Sequence, residues 1–462
     1  MRLTALIVAC ALFMQNLDGT VVATALPTMA RAFGSDPLHM SVALTSYLLS
    51  LAVFIPVSGW MADSYGARSI FRAAIGVFTV GSILCGASQN LPELVGARIV
   101  QGIGGAMMVP VGRLLLLRTV AKNELVAAMA WLTTPALIGP VVGPPLGGFL
   151  VTYADWRWIF YINVPIGLLG MVLVTHYVPD VREPSPGRLD MVGLLLSGAA
   201  LACLMFGFET AGRGMLPATL VAALLLAGCV AGTLYMRHAR RRPNPLLDLS
   251  LLRIATFRIS VVAGSLFRIG VGAMPFLLPL MLQIGFGRSA AESGLVTCSS
   301  AVGAIAMKPA AQWALRRFGF RLVLTWNGAL AAVLLAAMAA LRPAWPMAAI
   351  YSLLVVSGFL RSLQFTAYNT IAYADIPRPR MSAATSLYST IQQLSLTLGI
   401  TVGAAALEAA TTLAGNATPS LGAFSIAFLV VGACSLLATP SAFTLPTTAG
   451  DEMSGHHSEK RS

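Results

Sequence analysis

Fourteen apolar runs, each long enough to cross a lipid bilayer as a helix, punctuate this chain from end to end. Within a few residues they fall at 3–25, 40–60, 69–88, 92–117, 125–151, 158–178, 190–209, 216–236, 257–282, 290–313, 321–341, 345–369, 382–410 and 421–440. A span needs about 20 predominantly apolar residues, and a helix is the only open-ended structure that satisfies every backbone group in lipid. Fourteen spans use roughly 280 positions, leaving short loops and no appended soluble domain. Only 10% of the residues are charged, against about 25% in soluble domains, too few to clothe a water-soluble protein of this size. The expected fold class is an all-α polytopic membrane protein. The first run, with Arg2 before it and Ala23-Thr24-Ala25 near its end, has the outline of a signal peptide. Thirteen further spans and Asp18 inside it argue for a retained helix.

The net charge of +13 would point to nucleic acid in a soluble chain. Here it follows from topology, because basic residues gather in cytoplasmic loops. With the N-terminus inside, the inner face receives twenty: Arg2, Arg68, Arg72, Arg118, Lys122, Arg182, Arg188, Arg237, Arg240, Arg241, Arg242, Arg253, Arg258, Arg316, Arg317, Arg321, Arg378, Arg380, Lys460 and Arg461. The outer face receives five: Arg31, Arg157, Arg213, Arg288 and Arg342. Both termini are therefore expected in the cytoplasm, with an even number of spans. The six cysteines (Cys10, Cys85, Cys203, Cys229, Cys298, Cys434) sit singly in apolar runs, without disulfide or metal-ligand spacing. The five histidines have no carboxylate at helical spacing, and no Walker motif appears. No metal and no cofactor are expected, and an intramembrane enzyme or a channel finds no supporting constellation.

After the second span stands Ser64-Tyr65-Gly66-Ala67-Arg68, and after the tenth Arg317-Phe318-Gly319-Phe320-Arg321. If the seventh and eighth spans are an insertion, these echoes occupy the same place in two six-span halves. Internal repeats of this kind mark secondary transporters, whose substrate sites lie at the repeat interface.

Four stretches carry more specific information. The first span contains Leu17-Asp18-Gly19-Thr20, and the second is followed by Gly59-Trp60-Met61-Ala62-Asp63-Ser64-Tyr65-Gly66-Ala67-Arg68. The fourth holds Arg98, Gln101, Gly102, Gly104, Gly105 and Ala106. The fifth holds Gly139-Pro140, Gly143-Pro144-Pro145 and Gly147-Gly148, with Trp156-Arg157-Trp158 and Asn163-Val164-Pro165 beyond it. In this order they resemble the major facilitator superfamily, and within it the fourteen-span drug:proton antiporter group of the EmrB/QacA type. The resemblance covers nearly the whole chain. It implies two six-helix lobes, at 1–178 and 257–440, joined by a 179–256 segment carrying two extra helices and a basic loop, with a tail at 441–462. It also implies a monomer whose partners are lipid, protons and a small-molecule substrate, while abundant Ala and Arg with little Lys point to a high-GC bacterium and so to its inner membrane.

Asp18 lies about 15 residues into an outward-running helix, and Arg98 begins an inward-running one, so the two fall at similar depth. A charge at the bilayer centre costs roughly 2.5–3.5 kcal/mol, so pairing or a wet cavity is expected; the resemblance implies that the Arg98 position takes part in proton coupling. Arg98, Gln101, Gly105, Met108 and Gly112 share one helix face and read as cavity-lining, as does Gln15. Gly59, Asp63, Gly66 and Arg68 resemble the family's gating loop, although Ser64 and Ala67 stand where basic residues are usual. Gly139, Pro140, Gly143, Pro144, Gly147 and Gly148 resemble the antiporter motif, which seals the two halves on one side. Among later basic residues, Arg113 and Lys308 lie near span ends and are expected to snorkel. Arg268 and Arg361, with Gln364 and Tyr368, read as cavity residues. The deeply placed acids are Asp18 and, less centrally, Glu408, so a net-positive cavity is expected, which favours amphiphilic or carboxylated anions. The expected function is proton-driven export of small amphiphilic compounds, the alternative being export of organic anions or metal–carboxylate complexes. The His456-His457 end is expected to be solvated.

Overall fold

The structure is a computed structural model that describes residues 2–34, 37–179, 187–211, 216–415 and 418–456. Arg182, Arg213, His457, Lys460 and Arg461 lie outside the described residues. Helices follow one another almost without interruption, and no strand occurs among the described residues. The N-terminal part comprises α1 (Arg2–Phe33), α2 (Pro37–Phe54), α3 (Ser58–Tyr65), α4 (Ala67–Ala87), α5 (Leu91–Thr119), α6 (Leu125–Tyr153), α7 (Trp158–Tyr161) and α8 (Asn163–Tyr177). Then come α9 (Met191–Ala211) and α10 (Ala218–Ala239). The C-terminal part comprises α11 (Ala255–Gly272), α12 (Met274–Leu280), α13 (Ala290–Ala306), α14 (Lys308–Leu322), α15 (Gly328–Ala337), α16 (Met347–Ile371), α17 (Met381–Leu413) and α18 (Leu421–Leu436), followed by the short α19 (Thr439–Ala442) and α20 (Asp451–Ser454).

By length and composition, twelve helical segments among the described residues can cross a membrane, fewer than the fourteen apolar runs. One of the twelve, Lys308–Ala340, contains a break at Gly319, whose φ of +71° and ψ of 166° are not helical. Gly66, between α3 and α4, has φ +87° and ψ 132°. These are the two glycines of the repeated pentapeptide. Positive φ comes at little cost only to a residue without Cβ, so the sequence echo is also an echo of backbone geometry.

Helix α5 is the hub of the N-terminal half, packing on α4, α2 and α1. Its start is capped by Asn90, whose Oδ1 accepts from the Glu93 amide at 3.0 Å, and Glu93 Oε2 accepts from the Gln89 amide in return. Ser289 and Glu292 form a full capping box on α13, so each helix start gains side-chain acceptors for amides it would otherwise leave unpaired. Helix α9 packs on α2 and on α17, touching both halves, and α10 lies along its outer side. Thr401 of α17 donates to the Phe208 carbonyl of α9 at 2.8 Å.

The halves join through α17, which meets α3 and α5, and through α6, which meets α13, α14 and α16. Their polar ties cluster at the arginine-rich end of the bundle. Ser382 Oγ donates to Asp63 Oδ2, and Ser386 Oγ donates to the Ile55 and Pro56 carbonyls at 3.0 and 2.9 Å. Up to His456 the tail packs against the bundle. Leu445 and Met453 are buried, α20 touches α14 and α6, and His456 Nδ1 lies 2.7 Å from the Arg316 carbonyl oxygen. Apolar side chains at 445 and 453 give this segment something to bury, a signal that the terminal histidines obscure.

Candidate functional site

Asp18 and Arg98 meet, as their matched depth requires. Arg98 Nη1 lies 2.5 Å from Asp18 Oδ2, and neither side chain is exposed at all. The same nitrogen donates to Gln101 Oε1 at 2.6 Å, one turn further along α5. Gln101 Nε2 donates to Asp18 Oδ1 at 2.8 Å and to Ser82 Oγ of α4 at 2.7 Å. Asn163, at the start of α8, donates to Asp18 Oδ1 at 3.1 Å. Arg98 Nε donates to the Ala43 carbonyl at 3.2 Å, and its guanidinium lies 4.2 Å from the Tyr47 ring centroid. The carboxylate thus accepts from three side chains, and a single titratable group joins α1, α5 and α8, with α4 attached through Ser82. An uncompensated buried charge would be expensive, whereas a paired and hydrogen-bonded one is tolerated. Arg98 Nη2 keeps no partner and is buried.

Sequence reasoning found Asp18, Arg98 and Gln101 but missed Ser82, Tyr47 and Asn163. Asn163 was legible as a polar residue inside the Asn163-Val164-Pro165 stretch. Ser82 and Tyr47 carry no such signal, because Ser and Tyr occur freely in apolar helices. Gln101 belongs to this closed network, and Met108 is wholly buried in the apolar core; neither lines an open cavity. A Cβ on Gly105 would come within 3.0 Å of Tyr47 Oη, and one on Gly112 within 2.7 Å of a Val8 methyl. That face of α5 therefore packs on α1, α2 and α4. Gln15 is half-buried, with its Oε1 enclosed and unpartnered.

At the arginine-rich end, Asp63 Oδ1 accepts from Arg118 Nη2 at 2.7 Å while its other oxygen takes Ser382 from the opposite half. A Cβ on Gly59 would stand 2.7 Å from the Ser382 carbonyl oxygen, so this glycine is what lets α3 and α17 touch. Gly66 makes the turn. Arg68 donates to the Thr175 carbonyl of α8, within its own half. In α6, a Cβ on Gly139 would meet Asn16 at 2.8 Å and one on Gly143 would meet Thr20 Oγ1 at 2.0 Å. These glycines seat α6 on α1, its own neighbour, and other faces of α6 reach the opposite half. Gly147 is buried and Gly148 exposed; the side chains of Pro140 and Pro144 lie outside the described set.

Two expectations about buried basic residues are overturned. Arg113 and Lys308 do not snorkel, since both are buried. Arg113 instead reaches across to the other half, donating to Tyr373 Oη at 3.2 Å, Ser389 Oγ at 3.3 Å and Gln392 Oε1 at 3.1 Å. Arg268 is buried as well, donates to Tyr388 Oη, and lies 3.5 Å from Asn369 Oδ1. The Tyr388 ring holds both guanidiniums, at 5.1 and 4.8 Å from its centroid, a cation–π arrangement. Neither arginine has a carboxylate partner among the described residues. Arg361 donates to Ser300 Oγ at 3.4 Å, which ties α16 to α13. Gln364 is buried and bound to the Leu324 carbonyl and to Asn327, so it holds the turn before α15 and does not line a cavity. Tyr368 is buried beside Phe267. Glu408 is exposed, which leaves Asp18 as the one carboxylate in the buried class among the described residues. No group of three potential metal ligands occurs among the described residues.

Two halves built on an echoed turn, packed around buried charge in a multi-pass helical bundle, define a membrane transporter. Comparison with known proteins agrees. The family model of the Major Facilitator Superfamily matches residues 8–400. Proteins carrying the name multidrug resistance protein MdtD are similar over most of their length. That of Citrobacter koseri is 42% identical over 399 residues, 86% of this chain and 84% of the relative. That of Serratia proteamaculans is 41% identical over 404 residues, 86% and 83% respectively. Among solved structures, the human organic anion transporter MFSD10 superposes with a TM-score of 0.70 at 13% identity, covering 96% of this chain and 99% of that one. The proton:xylose symporter XylE gives 0.66 at 14%, covering 97% and 96%. The chain belongs to the major facilitator superfamily. It is a multi-pass membrane transporter and not an enzyme.

Proposed function

We propose that the protein exports small amphiphilic compounds from a bacterial cytoplasm across the inner membrane in exchange for protons, by alternating access between its two halves. The observation that carries this reading is Asp18, the one buried carboxylate among the described residues, paired to Arg98 and held by Gln101 and Asn163. A proton arriving on Asp18 cancels its attraction to Arg98 and loosens α1 from α5; its departure restores the tie. Each inward proton carries about 2.3 kcal/mol per 100 mV of membrane potential, enough to drive a solute outward when the two movements share one conformational cycle.

Fourteen crossings with both termini inside fit this cycle. The break at Gly319 divides the Lys308–Ala340 segment, its first part completing the span begun by α13. Helix α6, 29 residues long, supplies a further crossing beyond the twelve. The excess of Arg and Lys at the end where the halves join then marks the cytoplasmic face. On this reading the halves stand closed to the cytoplasm through Asp63, Ser382, Ser386 and Arg113. Helices α9 and α10, with the 179–256 segment, form the insertion between the lobes.

The test uses purified protein in sealed proteoliposomes, with a pH-sensitive dye in the lumen and ethidium as the transported probe. An imposed ethidium gradient should drive proton counterflow in the native protein and none in Asp18→Asn. Counterflow that persists in Asp18→Asn overturns the assignment.

A second reading, export of organic anions or metal–carboxylate complexes, draws on Arg113 and Arg268, two buried guanidiniums without an acidic partner among the described residues. Carboxyfluorescein and ethidium uptake measured side by side would separate the readings. Anion export should fall in Arg268→Gln, whereas cation export should not.

A further inference from the structure

Where the insertion meets the two halves, the arginine-rich end holds a cavity of about 860 Å³. Its walls come from three parts of the fold: Gly59, Trp60 and Asp63 of α3; Arg188, Asp190 and parts of the stretch from Met236 to Arg253 in the inserted segment; and Arg380, Ser382 and Ala383 around the start of α17. Every carboxylate in these walls is already engaged. Asp63 is held by Arg118 and Ser382. Asp190 takes His238 Nε2 at 2.8 and 3.0 Å on its two oxygens. Asp248 lies 2.5 Å from Arg380 and accepts from Ser250.

The guanidinium groups of four further wall residues, Arg188, Arg240, Arg242 and Arg253, make no hydrogen bond or ion pair with any described residue. Topology alone asks for basic residues in an inner loop. It does not ask that they ring one concavity whose acids are each held by another side chain. Guanidinium groups offer paired N–H donors matched to phosphate oxygens. The cavity also carries apolar surface from Trp60, Met236 and Leu252, suited to the glycerol and upper acyl region of a lipid. Basic pockets between spans on the inner face are the usual seats of anionic headgroups.

We infer that this cavity binds a phosphate-bearing anion, through Arg240, Arg242, Arg253 and Arg188. The shared chemistry is the phosphate; a phospholipid headgroup and a soluble phosphate compound are its two sources. Because Asp63, Gly59 and Ser382 form one wall, a ligand here ties the inserted segment to both halves at the place where they join. The site makes no use of Asp18 and stands apart from the proton-exchange reading.

The experiment uses the full chain in nanodiscs of phosphatidylcholine alone or with phosphatidylglycerol, with native mass spectrometry reading the lipid retained and a melting curve reading stabilisation. A parallel arm adds pyrophosphate to the phosphatidylcholine discs. Arg240→Gln/Arg242→Gln/Arg253→Gln is compared with Arg316→Gln/Arg317→Gln/Arg321→Gln, which removes the same charge elsewhere at the same end. Retention of phosphatidylglycerol reduced about tenfold or more in the first triple, and unchanged in the second, supports a lipid headgroup site. Stabilisation by pyrophosphate with no preference for phosphatidylglycerol, lost only in the first triple, supports a soluble source. Equal loss in both triples, or no loss in a first triple that melts like the native protein, overturns the proposal.

Discussion

At the scale of single residues, the Asp18–Arg98 pair has a signature that a double substitution exposes. Removing one partner of a buried ion pair costs about 3–5 kcal/mol, because the other is left uncompensated. Asp18→Asn and Arg98→Gln should each lower the melting temperature markedly. The double variant should melt above Arg98→Gln, because it strands no charge. Additive losses would mean the two residues do not share one network. Asn163→Ala removes one donor to the carboxylate and should cost about 1–3 kcal/mol, read in the same melting assay. A melting temperature equal to the native one would place Asn163 outside the network. The pair itself was legible in the sequence, since matched depth and the expense of lone charge in lipid leave few other arrangements. Arg113 was not. Its position near a span end permits either a snorkelled or a buried side chain, and the deciding groups, Tyr373, Ser389 and Gln392, lie more than 250 residues away.

At the scale of helices, glycines set how closely spans approach, and the closest approach falls outside the motifs the sequence singled out. A Cβ on Gly303 of α13 would stand 1.8 Å from the Val355 carbonyl oxygen, and one on Gly358 of α16 would stand 1.9 Å from that of Ser300. These contacts involve backbone, which cannot swing aside. Gly303→Val and Gly358→Val should therefore destabilise by about 1–3 kcal/mol or more. Gly96→Ala, in α5 with nothing within 4 Å, should be neutral or stabilising by up to about 1 kcal/mol. Melting curves of the three variants, in one detergent, check the ordering; equal values would mean that the crossing of α13 and α16 tolerates a side chain. Helix existence and turn positions were readable here because length and hydropathy set them, and Gly66 and Gly319 announce their turns locally. Which face of α5 looks outward was not readable, since all sides of that helix are apolar or small.

At the scale of the whole molecule, the tail bridges parts of the chain that the sequence keeps far apart. Lys122 Nζ lies 2.6 Å from Glu452 Oε2, and this hydrogen bond and charge hold the Glu452 carboxyl below its ordinary range. A depressed folded value means that the contact contributes above the unfolded pKa and is lost as pH falls through the folded one. Protease cleavage of the tail should accordingly rise as pH drops from about 5 to below 4. In Glu452→Gln that rise should be absent; a rise of the same size there would assign it to another group. The central claim is that a hydrogen ion on Asp18 is exchanged for solute as the halves rock. Its most direct measurement is the lumenal pH of proteoliposomes during uphill transport of a dye. The native protein should move protons only when dye is supplied, and Asp18→Asn should move neither. Concentrative dye transport by Asp18→Asn at the native rate would contradict the account.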